Sequence, residues 1–82
     1  MKEETVYLVI CKYNKSTFVE NVYKTRNSAI KYIANKKKEL TKYWEELHNE
    51  IDIVEWDGYL KICSKTSSDY EEYLIEEFPL YL

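Results

Sequence analysis

The chain opens with two runs of apolar residues that predict a pair of strands. The first covers residues 5–13, TVYLVICKY, and its β-branched and aromatic side chains predict a strand buried on both faces. Four turn-forming residues, NKST, follow at 14–17. The second run covers residues 18–24, FVENVYK, and we expect it to pair with the first strand as a hairpin.

The pattern then changes to the spacing of a long helix. Neither proline nor glycine occurs in residues 26–50, which predicts one helix over this range, and the Thr25 hydroxyl is placed to cap the first free amides. Apolar side chains recur at intervals of three, four and seven, with Lys37 at the one polar position of the stripe. The stripe consists of Ile30, Ile33, Leu40, Trp44, Leu47 and Ile51. It predicts a helix packed on a sheet, with a coiled-coil seam between two copies as the alternative.

A second hairpin is predicted in the middle of the acidic half of the chain. Asp57 and Gly58 stand between alternating apolar residues, and they tolerate the positive φ that both positions of a two-residue turn need. Such a turn pairs Trp56 with Tyr59 and fixes which side chains share a face. The aliphatic face, which we assign to the core, carries Ile53, Leu60 and Ile62. Trp56 and Tyr59 are therefore expected on the outer surface.

The end of the chain predicts one more strand. Residues 73–78 are apolar and aromatic apart from two glutamates, and we expect Pro79 to stop this strand at an edge of the sheet. The order strand, strand, helix, strand, strand, strand predicts an α+β fold, a small antiparallel sheet of roughly four to five strands with one long helix packed on one face. At 82 residues we expect a single domain, residues 1–82, with one modest core.

Charge is sorted along the sequence. Residues 1–43 carry ten Lys/Arg and four Glu, a net charge of +6, and residues 44–82 carry two Lys and eleven Asp/Glu, a net charge of −9, which sum to −3. Only the lysines at 36–38 and 42 cluster, and eleven carboxylates follow them, so direct binding of DNA or RNA is disfavoured. A solvated face is the simplest interpretation of the acidic half, and a surface for a basic partner is the alternative.

The acidic half also carries aromatic side chains, a combination that suits docking on a basic protein. Complementary fields speed the encounter, and desolvated Trp and Tyr side chains supply much of the binding free energy at the centre of a contact. We therefore expect a partner-binding surface in which carboxylates take the place of phosphates and Trp56 and Tyr59 act as anchors. Its predicted residues are Glu45, Glu46, Glu50, Asp52, Trp56, Asp57, Tyr59, Glu71 and Glu72.

Residues suited to catalysis or metal binding are few. His48 is the single histidine and is expected on the helix surface, and Cys11 and Cys63 lie 52 positions apart without a CxxC motif. In a reducing cytoplasm we expect buried apolar thiols, with a disulfide or a functional thiol as the alternative. No phosphate-binding loop, dinucleotide fingerprint or nucleophile elbow occurs. We therefore expect no enzyme activity, no cofactor and no metal.

We also expect no export signal and no membrane partner. The start, MKEET, is acidic after one lysine, and the apolar run at 6–11 is too short for a signal-peptide core or a membrane-spanning helix. The expected compartment is the cytoplasm of a bacterial host.

Three stretches, residues 5–13, 18–33 and 73–80, resemble a widespread type of small accessory protein of phages and mobile elements. Such proteins open with two strands, the second ending in valine and an aromatic residue, then have a Ser/Thr cap and an alanine-containing helix, and close with a Tyr-x-Ile-x-Glu strand. Here the matching positions are Val22, Tyr23, Lys24, Thr25, Ala29 and residues 73–77. The longer helix and its change from basic to acidic depart from the pattern. The resemblance implies a relation to inhibitors of host defence, anti-CRISPR proteins among them, which act by binding.

Together these features favour a phage-type inhibitor that binds a bacterial defence or nucleic-acid-handling protein, such as a CRISPR effector, as a DNA mimic. Two alternatives stay open. One is a small-molecule-binding or sequestering protein with a tyrosine-lined pocket, and the other is an accessory protein that self-associates, for example as a homodimer. A complex held by the acidic surface should weaken between about 50 and 300 mM salt, whereas an apolar pocket should bind nearly as well.

Overall fold

The computed structural model describes residues 3–48 and 50–81. The elements follow the predicted order of two strands, a helix and three strands. They are β1 (Glu3–Tyr13), β2 (Ser16–Tyr23), α1 (Arg26–Leu47), β3 (Ile51–Trp56), β4 (Tyr59–Ser64) and β5 (Tyr70–Tyr81). The strands form one antiparallel five-stranded sheet with α1 packed on one face, which confirms the α+β fold.

The strand order places the last strand at the centre of the sheet. The order is β2-β1-β5-β4-β3, so β5 pairs with β1 on one side and with β4 on the other. The prediction of a C-terminal edge strand is therefore wrong, and β2 and β3 form the edges. The hairpins β1–β2 and β3–β4 are local, and β5 follows β4 after a short connection, whereas the pairing of β5 with β1 is long-range and leaves no pattern within one stretch of sequence.

The helix begins where its cap residue predicts and ends earlier than its apolar stripe indicates. The Thr25 side chain accepts a hydrogen bond of 3.2 Å from a backbone amide of the first turn. α1 ends at Leu47, whose side chain is exposed. The predicted end at Glu50 is wrong, because Ile51, the last residue of the stripe, starts β3 instead. Asn49 lies outside the described residues.

The hydrophobic core lies between α1 and one face of the sheet, here called the covered face. Because side chains alternate along a strand, every second residue of β1, β4 and β5 points to the helix. The sheet contributes Val9, Cys11, Leu60, Ile62 and Tyr73, each at most 2% exposed, and the helix contributes Ala29, Ile33 and Trp44. The burial of Leu60 and Ile62 confirms the predicted core face of the second hairpin.

The β3–β4 hairpin has the predicted two-residue turn, but the prediction of a positive φ at both positions is wrong for Asp57, since only Gly58 of the two has one. Trp56 pairs with Tyr59 across it. Gly58 has φ +78°, and a Cβ at this position would lie 3.0 Å from the Ile75 side chain, so both conformation and packing favour glycine. The same Cβ position is 3.2 Å from the Arg26 guanidinium, which places the turn beside the first turn of α1.

β5 continues past the proline that the sequence predicts as its end. Pro79 pairs with Thr5 of β1, and the strand ends at Tyr81. This part of β5 has a neighbour on one side only, because its pairing with β4 ends at Leu74. A proline is tolerated where a strand has a free edge, since no ladder on that side needs its N–H.

Candidate docking surface on the open sheet face

The face of the sheet opposite α1, here called the open face, carries many apolar side chains. They alternate along the strands with the core residues and so point away from the helix. They are Val6, Leu8, Ile10, Val19, Val22, Val54, Trp56, Tyr59, Leu74, Phe78 and Leu80. No second layer covers them in the described parts of the chain. An antiparallel sheet with one solvated face usually has polar residues at these positions, so this composition makes the open face a candidate docking surface.

One side chain from each of the five strands lines up across the open face in what we call the apolar row. The row consists of Val19, Ile10, Leu74, Tyr59 and Trp56, each paired with the next. Because neighbouring strands lie about 4.8 Å apart, the apolar row is about 19 Å long. Its two ends are the most exposed, Val19 at 50% and Trp56 at 63%. Between these ends Tyr59 and Leu74 are partly buried and Ile10 is only 9% exposed, so the row is apolar across the whole sheet but open to solvent mainly at its two ends.

The end of the apolar row at the β3–β4 hairpin is an aromatic pair. The rings of Trp56 and Tyr59 stack with centroids 4.2 Å apart and planes 13° from parallel. The Tyr59 hydroxyl donates a hydrogen bond to the Glu72 carboxylate of β5. Burial, together with this bond, raises the pKa of Tyr59 to about 12, so the hydroxyl stays a donor at neutral pH. Tyr59 is thus fixed to the sheet and holds the exposed Trp56 ring in position.

Charged side chains flank the apolar row. The open face carries the carboxylates of Glu4, Asp52, Glu72 and Glu76 and the ammonium groups of Lys12 and Lys61. Four negative and two positive groups leave a net charge of −2 on this face. Glu72 and Glu76 lie on either side of Leu74 along β5. In the strand register, Glu72 stands opposite a lysine on each neighbouring strand. Glu76 stands opposite Leu8 of β1 and not opposite a lysine, so we expect a more negative potential around Glu76 than around Glu72.

The structure brings four of the nine predicted partner-binding residues onto one surface. Asp52, Trp56, Tyr59 and Glu72 share the open face. Trp56 and Tyr59 point away from the core, as the hairpin pattern predicts. These four residues form the part of the predicted surface that the apolar row continues.

Four other predicted residues are divided between the two ends of the helix. Glu45 and Glu46 are exposed in the last turn of α1, and Glu50 is exposed in the connection to β3. Asp57 lies in the hairpin turn beside the first turn of α1. The 22 residues of α1, about 33 Å, separate the two ends, so these carboxylates do not join one acidic surface.

The prediction that Glu71 belongs to the partner-binding surface is wrong, because its side chain lies in the core at 8% exposure. Its carboxylate accepts hydrogen bonds from the Trp44 indole N–H at 3.2 Å and from the Tyr73 hydroxyl at 2.5 Å. Burial and the bond to Glu71 raise the pKa of Tyr73, which keeps the hydroxyl a donor. Glu71 and Glu72 are adjacent in a strand and so point to opposite faces. The sequence does not tell which of the two points inward.

Groups suited to catalysis are dispersed. The ring of His48 stacks on Trp44 with centroids 4.7 Å apart and is half-buried, where the helix surface was expected. Cys11 is buried, as predicted, and burial raises the pKa of its thiol, whereas Cys63 is half-buried on the open face. The two cysteines are not joined by a disulfide. Across residues 3–48 and 50–81, no three His, Cys, Asp or Glu side chains are grouped as a metal site requires.

In the described part of the chain, no helix has the length and apolar character needed to cross a membrane.

A cleft bears on the alternative of a tyrosine-lined pocket. It lies where the β1–β2 turn meets the β4–β5 connection, has a volume of ≈ 620 Å³ and includes Tyr13 and Tyr70 in its lining. Asn14, at φ +53°, ties the two segments together, because its carbonyl accepts a hydrogen bond of 2.6 Å from the Tyr70 hydroxyl. One of the two tyrosines of this cleft is thus already engaged by the protein.

The sequence predicts only one end of the apolar row. The Asp57-Gly58 hairpin predicts Trp56 and Tyr59, whereas the other three residues join them through strand order and register. One signal was present, since β1 was predicted to be buried on both faces. A strand of that kind needs a cover on its second face, and α1 covers only the first.

Comparison with known proteins adds no assignment, since no family model, no curated protein and no solved structure matches the chain.

Proposed function

We propose that this protein acts by binding another protein through the open face of its sheet, without catalysis. The observation that carries the proposal is the apolar row, in which Val19 and the stacked Trp56 end a continuous apolar strip. Contiguous apolar surface on a small domain marks sites of interaction, and Trp and Tyr at the centre of such sites often dominate the binding free energy. The row is therefore the contact, and the flanking polar residues form its rim.

The target that fits this surface is a basic, nucleic-acid-handling bacterial protein, such as the CRISPR effectors that phage-type inhibitors block. The net charge of −2 on the open face favours a basic partner and speeds the encounter with it. The resemblance of the sequence to small phage accessory proteins supports the same class of target. In the complex Asp52 and Glu72 occupy positions that phosphates would take, and Trp56 fills an apolar pocket of the target.

Capture with matched variants tests the proposal. The tagged protein is incubated at low salt with a bacterial lysate that contains CRISPR effectors, beside Trp56→Ser and the control Tyr43→Ser, whose exposed ring lies on the helix. We expect the wild type and the control to retain a nucleic-acid-binding protein that Trp56→Ser loses. Retention should fall between about 50 and 300 mM salt as screening increases. Equal retention by all three forms would contradict the proposal.

Self-association through the same face is the second candidate. Val19 and Trp56 lie at opposite ends of the apolar row, so a two-fold axis through the row would place the Trp56 end of one copy on the Val19 end of the other. Sedimentation equilibrium separates the candidates. A dimer that disappears in Val19→Lys favours self-association, whereas a monomer that still captures the target favours the first candidate.

A further inference from the structure

Two strands extend past the rest of the sheet as a two-stranded ribbon. β1 and β5 pair over eleven residue pairs. β2 accompanies β1 only as far as Tyr7, and β4 accompanies β5 only as far as Leu74. Residues 3–6 and 78–81, here called the ribbon, therefore have no third strand on either side within the part of the chain that the structure describes. The elongated dimensions, 53 × 23 × 16 Å, agree with such a projection.

The ribbon is apolar on the side that continues the open face. Val6 and Phe78 pair there, and Leu80 follows along β5. Phe78 is 51% exposed and Leu80 is 38% exposed. Leu8 connects these side chains to the apolar row through β1. A two-stranded ribbon is only marginally stable in water by itself, so an exposed apolar side on it indicates a surface that a partner covers.

We expect the ribbon to contact its partner through side chains and not through the free backbone edge of β5. Pro79 has no N–H to donate, and Glu76 and Glu77 carry negative charge beside the free edge of β5. Proline and charged side chains are the features by which edge strands avoid pairing with another strand. A second copy paired along this edge would also bring like charges together, which disfavours a dimer of ribbons.

The charge around the ribbon selects the kind of partner. Glu4, Glu76 and Glu77 are exposed there, whereas β1 has no basic residue before Lys12 and β5 has none. Glu76 and Glu4 share the open face with Phe78, one on each side of it, about 14 Å apart along the strands. An apolar strip between carboxylates is complementary to a groove with basic walls and aromatic or apolar contacts, the chemistry by which proteins hold single-stranded nucleic acid.

We propose that the ribbon enters the groove in which the target binds single-stranded nucleic acid, and that it competes with that ligand. The inference rests on the proposed function, because the apolar row docks on the same target. The row supplies most of the affinity, and the ribbon supplies the competition. Phe78 takes the place of a stacked base, and Glu4 and Glu76 take the places of backbone phosphates.

Photo-crosslinking from the ribbon tests this inference. Phe78 is replaced by p-benzoylphenylalanine, and exposed Tyr43 on the helix is replaced in a matched control. Each protein is irradiated with the captured target, with and without excess poly(dT). We expect a crosslink from position 78 that falls by about tenfold or more with poly(dT), and none from position 43. A position-78 crosslink that poly(dT) leaves unchanged, or no crosslink while capture persists, overturns the inference.

Charge-reversed variants separate failure of this inference from failure of the proposed function. Glu76→Lys combined with Glu77→Lys should still be captured but should displace poly(dT) from the target about tenfold less well. The control, Glu45→Lys with Glu46→Lys, makes the same charge change at the exposed end of the helix and should displace it normally. If Trp56→Ser leaves capture unchanged, or no target is retained, the proposed function fails and the inference with it. If Trp56→Ser abolishes capture and both charge-reversed variants displace poly(dT) equally, only the role of the ribbon is overturned.

Discussion

The two faces of the sheet are built from similar residues and meet different surroundings. On the covered face, Val9, Leu60 and Ile62 contact α1 and are withdrawn from water. On the open face, the apolar row crosses all five strands and ends in an exposed tryptophan. The pattern of apolar residues alone therefore does not tell which face of the sheet the helix covers.

Three pairs of like residues make this comparison measurable, because one member of each pair lies on each side of the sheet. The pairs are Trp44 and Trp56, Glu71 and Glu72, and Cys11 and Cys63, with the covered member named first.

Replacing the two tryptophans should give the largest difference in the loss of unfolding free energy. Trp44→Ala removes a fully buried ring and the indole donor to Glu71, and we expect it to lower the free energy of unfolding by about 3–5 kcal/mol. Trp56→Ala removes a ring that is mostly in water and stacks only on Tyr59, so the loss should be about 1 kcal/mol or less. Urea unfolding measures both. Similar losses for the two variants would show that the open face is part of the folding core.

Replacing the two glutamates should give the next largest difference in the loss of unfolding free energy. Glu71→Ala leaves the donors of Trp44 and Tyr73 without an acceptor in the core, which costs about 1–3 kcal/mol. Glu71→Gln keeps an acceptor oxygen and should recover part of this loss. Glu72→Ala, one residue away on the open face, should change the free energy of unfolding by about 1 kcal/mol or less. Equal effects at both positions would contradict the burial of Glu71.

High pH should reduce stability through the tyrosines whose pKa is raised by burial, which are Tyr73, the least exposed, together with Tyr32 and Tyr59. Burial and the bond to Glu71 raise the pKa of Tyr73 above its unfolded value of about 10. The folded protein therefore keeps a proton that the unfolded chain releases, so stability is full below pH 10 and falls as the pH rises beyond it. Urea midpoints from pH 7 to 11 test this. The fall should be smaller in Tyr73→Phe than in the control Tyr43→Phe, and a fall that begins below pH 9 would point to another group.

The two cysteines should differ in how fast a thiol reagent modifies them in the folded protein. Cys63 is half-buried on the open face, whereas Cys11 is buried and burial raises the pKa of its thiol. A thiol reagent such as DTNB should therefore modify Cys63 first, and Cys11 only when the protein unfolds. Cys11→Ser and Cys63→Ser isolate the two rates. Rapid modification of Cys11 in the folded protein would show that α1 does not protect this part of the sheet.

Local patterns predicted the parts of the fold that depend on near neighbours. The cap at Thr25 and the turn at Gly58 are confirmed, because each depends on a few adjacent residues. The faces of β3 and β4 follow from that turn, so the outward position of Trp56 and Tyr59 could also be predicted.

Long-range features could not be predicted in the same way. The central place of β5, its continuation past Pro79 and the burial of Glu71 all depend on β1 and β4 lying on either side of it. The apolar row depends on the same strand order, since Leu74 of β5 joins Ile10 to Tyr59. The end of the helix was predicted wrongly for a different reason. Ile51 continues the helical spacing of apolar residues although it is the first residue of β3.

The position of β5 also has a consequence for synthesis on the ribosome. The β1–β2 and β3–β4 hairpins can form as soon as each is made, but β1 and β4 are joined only through residues 70–81. Until that segment has emerged, the nascent chain holds two separate hairpins and a helix without a continuous sheet to pack on. We therefore expect the chain to acquire its fold in one late, cooperative step, and to depend on chaperones more than its small size would indicate.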